Sequence, residues 1–523
     1  MFAAILGLVI LYLFSVYILA PIVTYIIDPK NLRRYPTFHP LSGVSDLPFL
    51  FSAQRGFRSR ELYELHKVHP VLRIGPNALS YADPGAIKDI YGHGTACVKD
   101  RFYSETSGSH SHLADVVDKQ DHARKRKVLS SAYAIKNLEE WEYKVADLVG
   151  RLTRAFDGLC TKPPTVNPAN EVYIPGGEGL TVDYRFWSNM FTVAAIANIG
   201  LSEDLGFLEA GSDRITSESM DGATKEVSFK ECISATAKAT YTLVWAYDWY
   251  PTLVRLSKIV SPYYRKLWKL DADWNGIVYN RVTTRLKRYI AGEKLDDFFT
   301  AMMEDKKGAP HSLEMGEIVA EISIMMNAGS DTTAIALRNV MFFLLKNPRC
   351  MQTLREELDD VLDEDEVVAP YSKVKHLPYL RACLDESLRM LPPVIFGLPR
   401  RTPPEGTQIL GDFIAGDTSV SMSAYVVHHN ESIFKDHDIY QPERWLGDAG
   451  KSLQSYFIPF STGARGCIGR NISYLEQTVL LASLVHRYDF ALPSPDWDPP
   501  VPETTNLSPG PMPLKIWRSA SID

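Results

Sequence analysis

The chain has 523 residues, 45% of them hydrophobic and 11% aromatic, with a formal net charge of −7. That length can bury a large core or enclose a sizeable cofactor, and the acidic balance argues against nucleic acid as a partner. Six cysteines lie scattered without CxxC or zinc-type spacing, which argues against a disulfide framework and leaves most of them as small buried hydrophobes.

From Met1 to Ile27 there is no charged side chain, and Ile5–Ile27 is mostly Leu, Ile, Val, Tyr and Phe. As a helix this run would cross the ~30 Å hydrocarbon core of a bilayer, with a kink expected at Pro21. A cleaved signal peptide fits poorly, because the apolar run is long and lacks a basic start. Lys30, Arg33 and Arg34 follow at once, so the positive-inside rule puts everything after residue 28 in the cytosol. We expect a membrane anchor over 1–28 and a single body over 29–523. In a reducing compartment the cysteines stay free, and the sequons at Asn430, Asn471 and Asn506 stay unmodified.

Tyr35-Pro36-Thr37-Phe38-His39-Pro40 reads as a stiff linker. A short helix over 60–66 and strands over 71–74 and 78–80 come next. Helical periodicity then dominates from about 121 to 360, with breaks at 308–310 and 359–366. Two helices stand out: an apolar one over 321–345, and one over 379–390 that Leu391-Pro392-Pro393 ends. Residues 394–425 read as short strands and turns, 430–466 as irregular, and 469–486 as a last helix. The body is therefore expected to be mainly α with small β-sheets.

The strongest chemical signal is Phe460-Ser461-Thr462-Gly463-Ala464-Arg465-Gly466-Cys467-Ile468-Gly469. A glycine-rich loop brings one cysteine to the start of an amphipathic helix, where orphan N–H groups and the helix dipole favour a thiolate. Gly463, Gly466 and Gly469 would let backbone approach a flat cofactor, and Arg465 can reach a carboxylate on it. The plain structural reading is a buried cysteine in a tight turn. At every fixed position, however, these residues resemble the haem-binding signature of the cytochrome P-450 superfamily.

Three further motifs occur in that family's order. Ala328-Gly329-Ser330-Asp331-Thr332-Thr333 places a Gly and two Thr inside an apolar helix, where they are locally unfavourable. It resembles the oxygen-activation motif, in which the acid–alcohol pair Asp331 and Thr332 would relay protons. Glu386-Ser387-Leu388-Arg389 puts an acid and a base on one helix face, and Pro442-Glu443-Arg444-Trp445 supplies a second Arg. The resemblance makes Glu386, Arg389 and Arg444 a buried structural network. In Asp121-His122-Ala123-Arg124-Lys125-Arg126-Lys127, His122 and Arg126 share a face. With Arg400 and Arg465, the resemblance makes them contacts to the haem propionates; a solvated basic face is the alternative. Arg124, Lys125 and Lys127 suggest a basic patch for an acidic electron-transfer partner.

The resemblance covers nearly the whole body. It implies the cytochrome P-450 fold, haem b with Cys467 as axial thiolate, and insertion of one oxygen atom of dioxygen into a small lipophilic substrate. It also implies an endoplasmic reticulum membrane location and electrons from NADPH through NADPH–cytochrome P-450 reductase, since the chain has no flavin or nicotinamide fingerprint. Phe102, Tyr103, Asn327, Ile395 and Phe396 are the expected pocket residues. Residues 99–142 are similar to filamentous-fungal enzymes that hydroxylate small phenolic products such as m-cresol and m-hydroxybenzyl alcohol, on mycotoxin pathways of the patulin type. Terpenoid or larger polyketide substrates, a non-oxygenating isomerase or dehydratase, and a haem carrier or sensor are the rival readings. One departure is Phe413-Ile414-Ala415-Gly416-Asp417, where the family usually has Pro-x-Gly.

Overall fold

A computed structural model describes residues 7, 11–12, 14–130, 132–163, 176–305, 307–311 and 313–519. Helices make up most of the body. The longest is Met315–Lys346, which contacts the helices Tyr184–Leu201, Pro262–Ile290, Pro378–Met390 and Arg470–Arg487. Its inward residues Ile322, Met326, Val340 and Leu344 belong to one large apolar core. The helix begins six residues before the periodic stretch because Glu314 and Glu317 form a reciprocal capping box there.

Sheet is sparse. Strands Val71–Gly75, Ala78–Tyr81, Ser419–Ser421, Arg400–Arg401 and Val98–Lys99 lie side by side in that order. A three-stranded sheet joins Tyr488–Ala491, Pro513–Arg518 and Val182–Asp183. The first sheet helps bring Lys99, Phe102, Tyr103 and Arg400 to one cavity with the cysteine loop.

The 35–40 segment, expected as a stiff linker, is also part of the body. Pro36 and Phe38 exchange backbone hydrogen bonds with Arg73, so the segment docks on the first sheet. Arg73 is itself buried, and its guanidinium donates to the carbonyls of Gly43 and Pro76.

At the N-terminus, Ala20–Ile27 is an α-helix with Pro21 in its first turn, preceded by π-helical Ser15–Leu19. Proline without an N–H fits that first turn, so it marks a junction between two helix types. Among the described residues no helix is long and apolar enough to cross a membrane. Much of the expected anchor, residues 1–6, 8–10 and 13, lies outside the described residues.

Candidate functional site

The loop Phe460–Gly469 is closed by backbone hydrogen bonds from Cys467 N to Phe460 O at 2.8 Å and from Gly466 N to Gly463 O at 3.1 Å. The helix Arg470–Arg487 starts three residues after Cys467. The cysteine therefore sits just outside the helix, with the N–H groups of Gly469 and Arg470 turned toward its sulfur. Gly463 has a reason other than cofactor approach. Its φ is +69°, and a Cβ there would stand 2.0 Å from the carbonyl oxygen of Tyr91.

Cys467 opens onto a cavity of about 460 Å³. Protein surrounds the sulfur on its other sides, and this burial pushes the thiol pKa up; the two backbone N–H groups and the Arg126 and Arg470 guanidiniums pull it down. Of the described cysteines, Cys467 alone lines this cavity.

The long helix lines the same cavity with Asn327–Gly329 and Asp331–Thr333. It runs unbroken there as an α-helix. The Thr332 hydroxyl donates back to the Ala328 carbonyl at 2.7 Å, which leaves its oxygen lone pairs free toward the cavity. Both oxygens of Asp331 are engaged: Oδ1 accepts from Arg185 Nη2 at 2.6 Å and Oδ2 from Asn506 Nδ2 at 3.0 Å. Burial lowers the pKa of Lys230, and Asp331 is among the acids that raise it. Arg185, Lys230 and Asn506 went unpredicted. A signal existed for Arg185, which is the only charged residue in the 18-residue apolar helix Tyr184–Leu201.

His122, Arg126, Arg400 and Arg465 all reach the cavity wall. Arg126 donates to the Gly466 carbonyl at 2.7 Å, which ties its helix to the cysteine loop. Arg465 donates to the carbonyls of Val116 and Val117 at 2.7 and 3.0 Å. Arg400 reaches the Tyr103 hydroxyl at 3.2 Å. Lys99 joins them, buried, with its ammonium on the carbonyls of Leu113 and Ala114.

Burial and neighbouring cations act together on Lys99, His122 and Arg465. Burial lowers Lys99 far below its ordinary range, and Arg465 and Arg400 lower it further. His122 falls to about 4, first by burial and then through Arg465, Lys99, Arg126 and Arg400. Arg465 falls to about 10 by burial and through Arg400. Such a wall favours a bound anion. Together with one cysteine open to the same space, it fits haem, whose two propionates would meet the cations while Cys467 meets the iron.

Two expectations are corrected here. Ile395 does not line the cavity; it is fully buried against Ile335, Val501 and Leu507. Phe102, Tyr103, Asn327 and Phe396 do line it, joined by Ile233, Ser234, Ala237, Lys238 and Tyr241 from the helix Phe229–Tyr241. The basic patch is also mostly neutralised. Lys125 is buried on Glu317, and Arg124 pairs with Asp121 and Glu317, so only Lys127 stands exposed.

Behind the loop, Glu386 receives Arg389 through two hydrogen bonds of 2.9 Å, Arg444 at 2.9 Å and Trp445 at 2.9 Å. Arg389 in turn donates to the carbonyls of His428 and His437.

The family model "Cytochrome P-450" matches residues 56–516. The cytochrome P-450 monooxygenase atr2 of Stereocaulon alpinum is 31% identical over 505 residues, covering 93% of this chain and 92% of its own length. The benzoate 4-monooxygenase bphA of Aspergillus niger is 27% identical over 488 residues, covering 91% of each chain. The cytochrome P-450 monooxygenase AMT3 of Alternaria alternata is 30% identical and covers 88% of each. With the motifs in order, a cysteine and an acid–alcohol pair on one cavity, and a family match over most of its length, this chain belongs to the cytochrome P-450 family, as a monooxygenase whose cofactor is haem on a cysteine thiolate.

Proposed function

We propose that this protein hydroxylates a small aromatic, phenolic intermediate of fungal secondary metabolism, of the kind represented by m-cresol or m-hydroxybenzyl alcohol. The observation that carries the reading is the single cavity of about 460 Å³ shared by Cys467, Thr332 and the rings of Phe102, Tyr103, Tyr241 and Phe396. The aromatic part of the wall suits a flat lipophilic substrate, and one relative acts, by its name, on benzoate. Haem, when bound, supplies the reductive activation of dioxygen, with electrons from NADPH through a diflavin reductase. In this reading Cys467 serves as ligand, the basic wall as propionate site, and Asp331 and Thr332 as proton relay. The test is incubation with reductase, NADPH and m-cresol or m-hydroxybenzyl alcohol. A product 16 Da heavier is expected; turnover of terpenoids alone would sink the phenolic assignment.

In the relay, Thr332 presents hydroxyl lone pairs to the cavity, and Asp331 links that point to Arg185 and Asn506. Thr332→Ala removes one hydroxyl and a methyl, so haem content and substrate binding should stay near wild type. NADPH would still be consumed, but most of it would leave as hydrogen peroxide. Asp331→Asn should slow the whole cycle by ~10²–10⁴-fold, the usual range for a lost general acid–base group. Full coupling of NADPH to product in Thr332→Ala would reduce the motif to a packing feature.

The N-terminal segment is proposed as a single-pass anchor in the endoplasmic reticulum, with the body in the cytosol. Ile22, Val23, Ile26 and Ile27 are exposed, as are Phe51, Leu256, Ile259, Val260 and Tyr263 on the body. Deleting residues 1–28 should move most of the protein from the membrane to the soluble fraction on sedimentation, with haem retained. Unchanged sedimentation would place the main membrane contact on the body.

A further inference from the structure

We propose that His429, His437 and Asp438 bind one divalent transition-metal ion, with zinc the best match, at a site separate from the haem cavity. One ligand atom from each of the three lies within 4.8 Å of the others. Tetrahedral zinc at about 2.0–2.2 Å from its ligands spaces them roughly 3.3–3.6 Å apart. The triad therefore needs only side-chain closure, and none of its members lines the haem cavity.

The histidine chemistry points the same way. His429 is buried at the end of the short helix Ala424–His428, with Nδ1 2.9 Å from the Tyr425 carbonyl. A carbonyl can only accept, so Nδ1 carries the proton and Nε2 keeps the lone pair, the arrangement of a histidine oriented for metal.

His437 has Nε2 3.2 Å from the Tyr63 hydroxyl. Its Nδ1 is buried without a hydrogen bond, although Asp438 Oδ1 stands 3.0 Å away. With the Nε2 proton donated to the Tyr63 hydroxyl, Nδ1 keeps its lone pair toward Asp438, and a cation held by both would offset their repulsion. Asp438 is well exposed, so an ion can enter from solvent. Lys67, which lies within electrostatic reach of Asp438, is already paired with Glu64 at 2.8 Å.

The ligands are also held from inside. A single guanidinium, Arg389, donates to the carbonyl of His428, adjacent to His429, at 2.9 Å and to that of His437 at 2.7 Å. A bound ion would fasten the same two segments from outside, clamping the backbone around the network behind the cysteine loop.

The test uses untagged, haem-loaded, full-length protein treated with chelator and then titrated with zinc against a chromophoric competitor. One zinc per chain is expected, with a thermal midpoint that rises on zinc addition. His429→Gln and His437→Gln should each weaken binding at least about tenfold and cancel the thermal shift. Asp438→Asn, at an exposed position that cannot unfold the protein, should weaken binding while leaving the carbon-monoxide difference spectrum unchanged. Absence of stoichiometric zinc would overturn the site, as would binding that all three variants leave intact.

Discussion

Cys467→Ala and Cys467→His are each expected to abolish the absorption band that thiolate-ligated haem shows when reduced under carbon monoxide, and to reduce monooxygenase turnover to background. The other described cysteines offer no substitute. Cys97, Cys232, Cys350 and Cys383 are buried in packing, Cys160 is half-buried, and none of the five lines the cavity. Histidine keeps a ligating side chain but exchanges sulfur for nitrogen, and it is the thiolate that pushes electron density onto iron. Burial raises the Cys467 thiol, so a bare cysteine there is held away from its reactive form. Survival of the band in either variant would mean that another cysteine reaches the iron and that the loop has been misread.

The legible parts of this protein were those written locally. The cysteine loop and the helix over 379–390 announce themselves through glycine spacing, apolar periodicity and a Pro-Pro stop. The long helix extends to Met315 because its first turn is polar and capped, with little apolar periodicity to mark it. The hairpin of Arg214–Glu218 and Thr224–Ser228 was missed because Ile215 and Val227 are its only apolar residues, too few to show an alternating pattern. Lys99 and Asn506 were missed for a different reason. Each gains its meaning only when strands or loops far apart in the chain meet, Lys99 at Arg465 and Asn506 at Asp331. The basic patch was misjudged on the same ground, since Glu317, the acid that Arg124 and Lys125 share, sits almost two hundred positions away on another helix.

Glu386→Gln and Arg389→Ala are each expected to destabilise the fold by about 3–5 kcal/mol, the usual penalty for leaving a buried charge without its partner. A domain with only ~5–15 kcal/mol in total has little left after such a loss. Glu386 and Arg389 are fully buried, and the two carboxylate oxygens serve donors from Arg389, Arg444, Trp445 and the Gln441 backbone. Glutamine keeps the shape of Glu386 but removes its charge and turns an N–H₂ group toward those donors, so the guanidiniums of Arg389 and Arg444 remain in a dry interior unneutralised. Arg389→Ala additionally frees the His428 and His437 carbonyls. Arg444 is closer to solvent, and its loss still leaves Glu386 paired with Arg389, so Arg444→Ala should cost less. The contrast is the exposed Arg349–Glu443 pair at 2.6 Å, where Arg349→Ala should change stability by less than about 1 kcal/mol. Haem incorporation and thermal melting read all four variants. If Glu386→Gln took up haem and melted like wild type, the network would not be what supports the cysteine loop; the 2.9 Å contacts would then be no more than well-packed geometry.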